Sequence, residues 1–98
     1  MIHVLAIITT EPGQRDAVLA EFRANMPAVL AEDGCIEYGP ATDVEDFGPG
    51  QAALGPDSFV VIEKWRDTDA LLLHAEAPHM HDYAARTKSM TRSRVIHV

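Results

Sequence analysis

The sequence predicts an α+β fold: a four-stranded antiparallel sheet covered on one face by helices, in the β-α-β-β-α-β order of the ferredoxin-like, split-βαβ plait. Three observations carry this expectation. A β-branched run, "IHVLAIIT", is followed by apolar residues at helical spacing. A second set, "SFVVIEKWRD" through "SRVIHV", again brackets helical spacing with strand patterns. The 98 residues suffice for one core and no more, so residues 1–98 are read as a single domain.

"IHVLAIIT" is short and only weakly alternating, which fits a strand buried on both faces. Pro12 and Gly13 punctuate it, and Thr10 is available as a helix cap. Val18, Leu19, Phe22, Met26, Val29 and Leu30 then recur at helical spacing. Pro27 lies within that pattern and removes a backbone donor, at about 3 kcal/mol in a helix interior. A bent helix ending before Gly34 is expected. "CIEYGPA" is the second strand. Between Gly39 and Pro56 seven positions are Gly or Pro, so "DVEDFGPGQAALGPD", residues 43–57, is read as a loop and a candidate lid.

"SFVVIEKWRD" is the clearest strand, with Phe59, Val61, Glu63 and Trp65 on one face and Val60, Ile62, Lys64 and Arg66 on the other. Asp67 or Thr68 can cap a short helix through His74, which "AEAP" interrupts because the residue before a proline leaves the helical region. A further helix starts at Pro78, with Met80, Tyr83, Thr87 and Met90 as its contact stripe, and "SRVIHV" closes the sheet. Helices on one face leave the other open, with Val60, Ile62 and apolar residues of the first strand on it. A two-fold homodimer through that face is the simplest cover.

Composition narrows the function. Fifteen acidic residues face eight basic ones, and ten of the acids lie in residues 1–57 beside only Arg15 and Arg23. A nucleic-acid or anionic-membrane surface is not expected. Cys35 is the only cysteine, which excludes an intrachain disulfide and a thiolate zinc cluster; it reads as a small buried hydrophobe. No apolar run reaches membrane-spanning length and no leader pattern is present, so a soluble, cytoplasmic protein is expected.

"LLLHAEAPHMHDY" places His74, His79 and His81 within eight positions. No His-Glu-x-x-His pair or cysteine cluster accompanies them, and His79 and His81 diverge around a helix, so no metal site is expected. His3 and His97 could oppose one another on the first and last strands, as a packed pair. Acid-base work is the alternative: His74 can exchange a proton near neutral pH if a carboxylate fixes its tautomer. Glu63 is the candidate carboxylate; it either orients His74 for chemistry or ties it down as a satisfied core pair. Trp65 reads as core or cavity wall and Tyr38 as a strand aromatic or a donor to substrate. His79 reads as a substrate or local structural contact, and His81 faces solvent.

"EDGCIEY", "FVVIEKWRD" and "LLLHAEAPHMHDY", in this order and spacing, resemble the antibiotic biosynthesis monooxygenase (ABM) domain family, including its quinol monooxygenase-like members. The combination Glu32-x-Gly34-Cys35, Glu63-x-Trp65 and His74-x-x-x-Pro78-His79 carries the resemblance, which spans nearly the whole chain. It implies a dimeric α/β barrel of two ferredoxin-like subunits. It also implies oxygenation of quinol or polyphenolic aromatics by dioxygen with no flavin, haem or metal cofactor. On that reading His74 is the base, Glu63 its orienting partner, and Trp65, Tyr38 and His79 contact substrate. The first strand lacks the asparagine of the haem-degrading members, so haem is not expected. The His-x-x-x-Pro-His arrangement is shared with the isomerase that processes a phosphorylated autoinducer, making small-carbonyl isomerisation the enzymatic alternative. A non-catalytic, dimeric ligand-binding module is the other.

Overall fold

The computed structural model describes residues 1–98. Its elements run β1 (Ile2–Thr10), α1 (Arg15–Leu30), β2 (Cys35–Ala41), β3 (Ser58–Trp65), α2 (Thr68–Glu76), α3 (Pro78–Thr87), a 3-10 turn (Lys88–Met90) and β4 (Thr91–His97). The strands form one antiparallel sheet in the order β2-β3-β1-β4. This is the α+β, ferredoxin-like arrangement that the strand and helix patterns predict. No helix is long and apolar enough to cross a membrane.

Alternation along β3 is as expected: Phe59, Val61, Glu63 and Trp65 are buried against the helices. β1 departs from expectation. Only Val4, Ala6, Ile8 and Thr10 are buried, while Leu5 is 48% exposed. The helices cover one face of the sheet, so a central strand of a single chain has one dry side. The register pairs Leu5 with Ile62 and Ile7 with both Val60 and Val95, which makes the uncovered side a contiguous apolar surface. His97 pairs with Leu5 and His3 with Lys64, so the two histidines do not oppose one another.

α1 buries Val18, Leu19, Phe22 and Val29. It runs through Pro27 to Leu30, because a proline in the last turn forfeits a single backbone bond while its carbonyl still accepts from Ala31 N–H at 3.1 Å. Thr10 does not cap it. Gln14 occupies the cap position, and the Thr10 hydroxyl donates to the Glu11 carbonyl. At α2 the Asp67 carboxylate accepts the Ala70 N–H at 2.9 Å, as its cap position predicts. Ala77 is extended (φ −65°, ψ 137°), and Pro78 restarts the chain as α3. The α3 stripe packs inward, with Thr87 buried and Met80, Tyr83 and Met90 against the core.

The turn between α1 and β2 sets how closely α2 approaches. Cys35 N–H donates to the Glu32 carbonyl, and Gly34 takes the left-handed conformation at φ +85°. A Cβ on Gly34 would stand 2.6 Å from the Ala70 Cβ on α2, closer than two carbons can pack. Glycine therefore serves twice here, in backbone conformation and in clearance. Gly34→Ala is expected to cost about 1–3 kcal/mol through the backbone alone, and more through the displaced helix. Urea unfolding should show the loss as a lower midpoint at unchanged slope; an unchanged midpoint would mean that this contact does not hold α2.

Candidate active site

Ala70 and His74 lie one turn apart on α2 and share a face. The face that presses Ala70 onto Gly34 therefore carries His74 to Glu32, two residues before that glycine. His74 Nδ1 is 2.8 Å from Glu32 Oε2, and His79 Nε2, from the start of α3, is 2.9 Å from the same oxygen. An ionised carboxylate only accepts, so both ring nitrogens donate. Neutral His74 then keeps its lone pair on Nε2. That atom stands 3.9 Å from Glu63 Oε1, beyond hydrogen bonding.

Glu63 has its own support. The Trp65 indole Nε1–H donates to Glu63 Oε1 at 2.9 Å, two positions along the same face of β3. Trp65 also stacks on His74 at a tilt, with ring centroids 4.6 Å apart, and Tyr38 meets the imidazole edge-on at 5.5 Å. His74 and Glu63 are both buried, at 6% and 7% exposure. The imidazole is thus confined by two aromatic rings and flanked by two carboxylates, Glu32 bonded to Nδ1 and Glu63 beside Nε2.

Both residues open onto a cavity of about 800 Å³ between the helix-covered face of β1 and β4 and the helices α2 and α3. Fifteen of its 24 lining residues are hydrophobic, which with that volume suits an aromatic small molecule rather than a filled interior. His74, Glu63 and Tyr38 are on its wall. Exposed His81, Lys88, Arg92 and Arg94 form its rim, so His81 belongs to the cavity mouth instead of merely facing solvent. No group of three or more His, Cys, Asp or Glu side chains is placed to hold a metal ion.

Several sequence expectations meet a different geometry. Glu63, expected to orient His74, does not hydrogen-bond to it; Glu32 does, because Nδ1 faces the α1–β2 turn. Trp65 and His79, expected as substrate contacts, are not on the cavity wall. Trp65 is fully buried behind Glu63, and His79 is engaged with Glu32. The 43–57 loop does not line the cavity either. It is folded onto itself by the Asp43 carboxylate, which accepts from Leu54 and Gly55 N–H at 2.8 Å each, and those bonds lower the Asp43 pKa. Arg15 of α1 anchors it further by donating to the Gly55 carbonyl. Glu32 was legible only as part of the Glu32-x-Gly34-Cys35 pattern, where the glycine marks a close approach.

The antibiotic biosynthesis monooxygenase family model matches residues 1–86. This chain belongs to that family. Among its ABM relatives, the probable quinol monooxygenase YgiN of Escherichia coli K12 is 41% identical over 90 residues, covering 90% of this chain and 86% of that one. Among solved structures, PA3566 of Pseudomonas aeruginosa superposes with a TM-score of 0.78 at 28% identity, covering 97% of this chain and 87% of that one. Rv0793 of Mycobacterium tuberculosis gives 0.77 at 25% identity, over 97% and 88%. The family model and the match to a probable quinol monooxygenase support a monooxygenase.

The two cavity phenols are strongly perturbed. Burial, and then the nearby Glu63, push Tyr38 far above its ordinary value, and burial raises Tyr83 to about 12. Both therefore remain protonated donors throughout the working range. For Tyr83 the folded state holds its proton longer than the unfolded state, so its contribution to stability should be constant below pH 10 and be lost as pH rises from 10 through about 12. Ultraviolet titration of the folded protein should show tyrosinate forming late for these two residues; complete ionisation near pH 10 while the fold persists would contradict the burial.

Proposed function

We propose that the chain is a cofactor-independent monooxygenase that converts a quinol-type aromatic to a hydroxylated quinone, with His74 as its base. The observation that carries this reading is the His74 imidazole, whose Nδ1 is taken by Glu32 while its Nε2 is left free beside the cavity. His74 Nε2 takes a proton from a substrate hydroxyl, and the Glu32 carboxylate offsets the positive charge that develops on the ring. The resulting anion is electron-rich enough to pass one electron to dioxygen, and recombination of the radical pair forms a carbon–oxygen bond. Loss of water then leaves the quinone. One oxygen atom enters the ring and the other departs as water, with all four electrons supplied by the substrate. Apolar walls limit competing hydrolysis and strengthen the few polar contacts. The Tyr38 hydroxyl is suited to donate to the oxygen on which charge grows.

Oxygen uptake on a panel of quinols tests this. His74→Ala should lower kcat by roughly 10²–10⁴-fold, and Glu32→Gln by about 10–100-fold. Wild-type uptake by His74→Ala would overturn the assignment. So would an absence of uptake accompanied by isomerisation of a small carbonyl compound, which would move the same base to the isomerase reading.

The working unit we propose is a homodimer closed through the uncovered sheet face. Leu5, Ile62 and Val95 are 48%, 37% and 50% exposed there, in one patch with Ile7 and Val60. Packing two such faces removes an apolar surface that a single chain leaves in water, and would give the dimeric barrel. Light scattering at micromolar concentration should return twice the chain mass, and Ile62→Asp should return the monomer mass. A monomeric wild type would refute the dimer.

A further inference from the structure

Half of the cations of this acidic chain are paired with carboxylates. Lys64 pairs with Glu37, Arg66 with Asp33 and Asp67, Arg86 with Glu21, and Arg92 with Glu11. Arg15 donates to the Gly55 and Ser58 carbonyls. Of eight lysines and arginines this leaves Arg23, Lys88 and Arg94 without a partner of either kind. Two of those three, Lys88 and Arg94, line the cavity. The third cation on the cavity wall, Arg92, is held by Glu11, whereas Lys88 and Arg94 have no carboxylate partner in a chain with a formal charge of −7.

Their position is as informative as their lack of partners. Arg94 is in register with Ile8 on β1, whereas Glu63 is in register with Val4. Four residues of strand separate those rows, roughly 13 Å. On the backbone, therefore, Glu63 belongs to the Val4 row of the sheet and Arg94 to the Ile8 row, with the buried Ala6 row between them. The charge of Arg94 is felt inside: burial raises the Tyr38 and Tyr83 phenols, and Arg94 works against that rise in both. An anionic group would be repelled beside Glu63 and attracted at the β4 end, so the charges impose a direction on any polar ligand.

We propose that the physiological substrate is an anionic aromatic, a quinol-type ring bearing a carboxylate or comparable acidic group, which Arg94 and Lys88 hold at the β4 end of the cavity. The orientation of its hydroxyl toward His74 rests on the oxygenase reading; the recognition of the anion does not. The span between the two ends accommodates fused rings, with the acidic substituent remote from the hydroxyl that reacts. Guanidinium geometry matches a carboxylate through two parallel N–H bonds, which makes Arg94 the principal contact and Lys88 the auxiliary charge.

Oxygen uptake measured on naphthohydroquinone and on the same ring carrying a remote carboxylate tests the proposal. KM should be about tenfold or more lower for the carboxylate, with a smaller difference at high salt. Arg94→Gln should collapse that ratio toward one and Lys88→Gln should reduce it, while Arg23→Gln, an unpartnered cation off the cavity wall, should leave it unchanged. Equal KM for the two quinols in the wild type, or a ratio untouched by Arg94→Gln, would overturn it. Binding by calorimetry separates this from failure of the oxygenase reading, since naphthoate and its neutral amide need no turnover. Naphthoate should bind about tenfold or more tighter than the amide, and Arg94→Gln should abolish the preference. Equal binding of acid and amide would refute the anion site even if oxygenase activity is found.

Discussion

One carboxylate organises the site. Glu32 Oε2 accepts from two imidazoles that come from different helices, His74 on α2 and His79 at the start of α3. A carboxylate this poorly exposed needs donors, and the two histidines supply them. In return it defines which nitrogen of His74 carries the proton and which remains basic. The break at Ala77 and Pro78 is what allows it, because a continuous helix would not turn His79 back toward the same oxygen. The turn that presents Glu32 in turn depends on Gly34, whose missing side chain lets α2 come near enough for His74 to reach.

A second constraint is the one-sided cover of the sheet. Helices on one face create both the cavity and the opposite apolar surface, so the site and the proposed dimer have a common origin. β4 pairs only with β1 at the edge of the sheet, and all of its residues after Thr91 are exposed. The space beneath it is what the cavity occupies.

The elements were largely legible because each is governed by local chemistry. β2 and β3 begin at Cys35 and Ser58 as the sequence indicates, Asp67 caps α2, and Pro78 restarts the helix. Thr10 misled because hydroxyl caps are judged by proximity in sequence, while the chain uses four more residues before α1 begins. His74 and Glu63 were legible as a buried histidine and a carboxylate on an apolar strand face. Their relation was not, since a hydrogen bond depends on a separation of a few tenths of an ångström across elements far apart in sequence.

By itself the sequence determined the order of strands and helices, the buried face of β3 and the family, all of which follow from periodicity, punctuation and motif spacing. Tertiary structure alone decided that Glu32 and not Glu63 bonds His74, that Trp65 braces Glu63 instead of lining the cavity, and that the 43–57 loop stays away from it. The reason is that periodicity specifies which face a side chain takes but carries no information on which partner stands across from it. That choice is made where α2 settles against Gly34, a contact between residues 34 and 70 that no local pattern encodes.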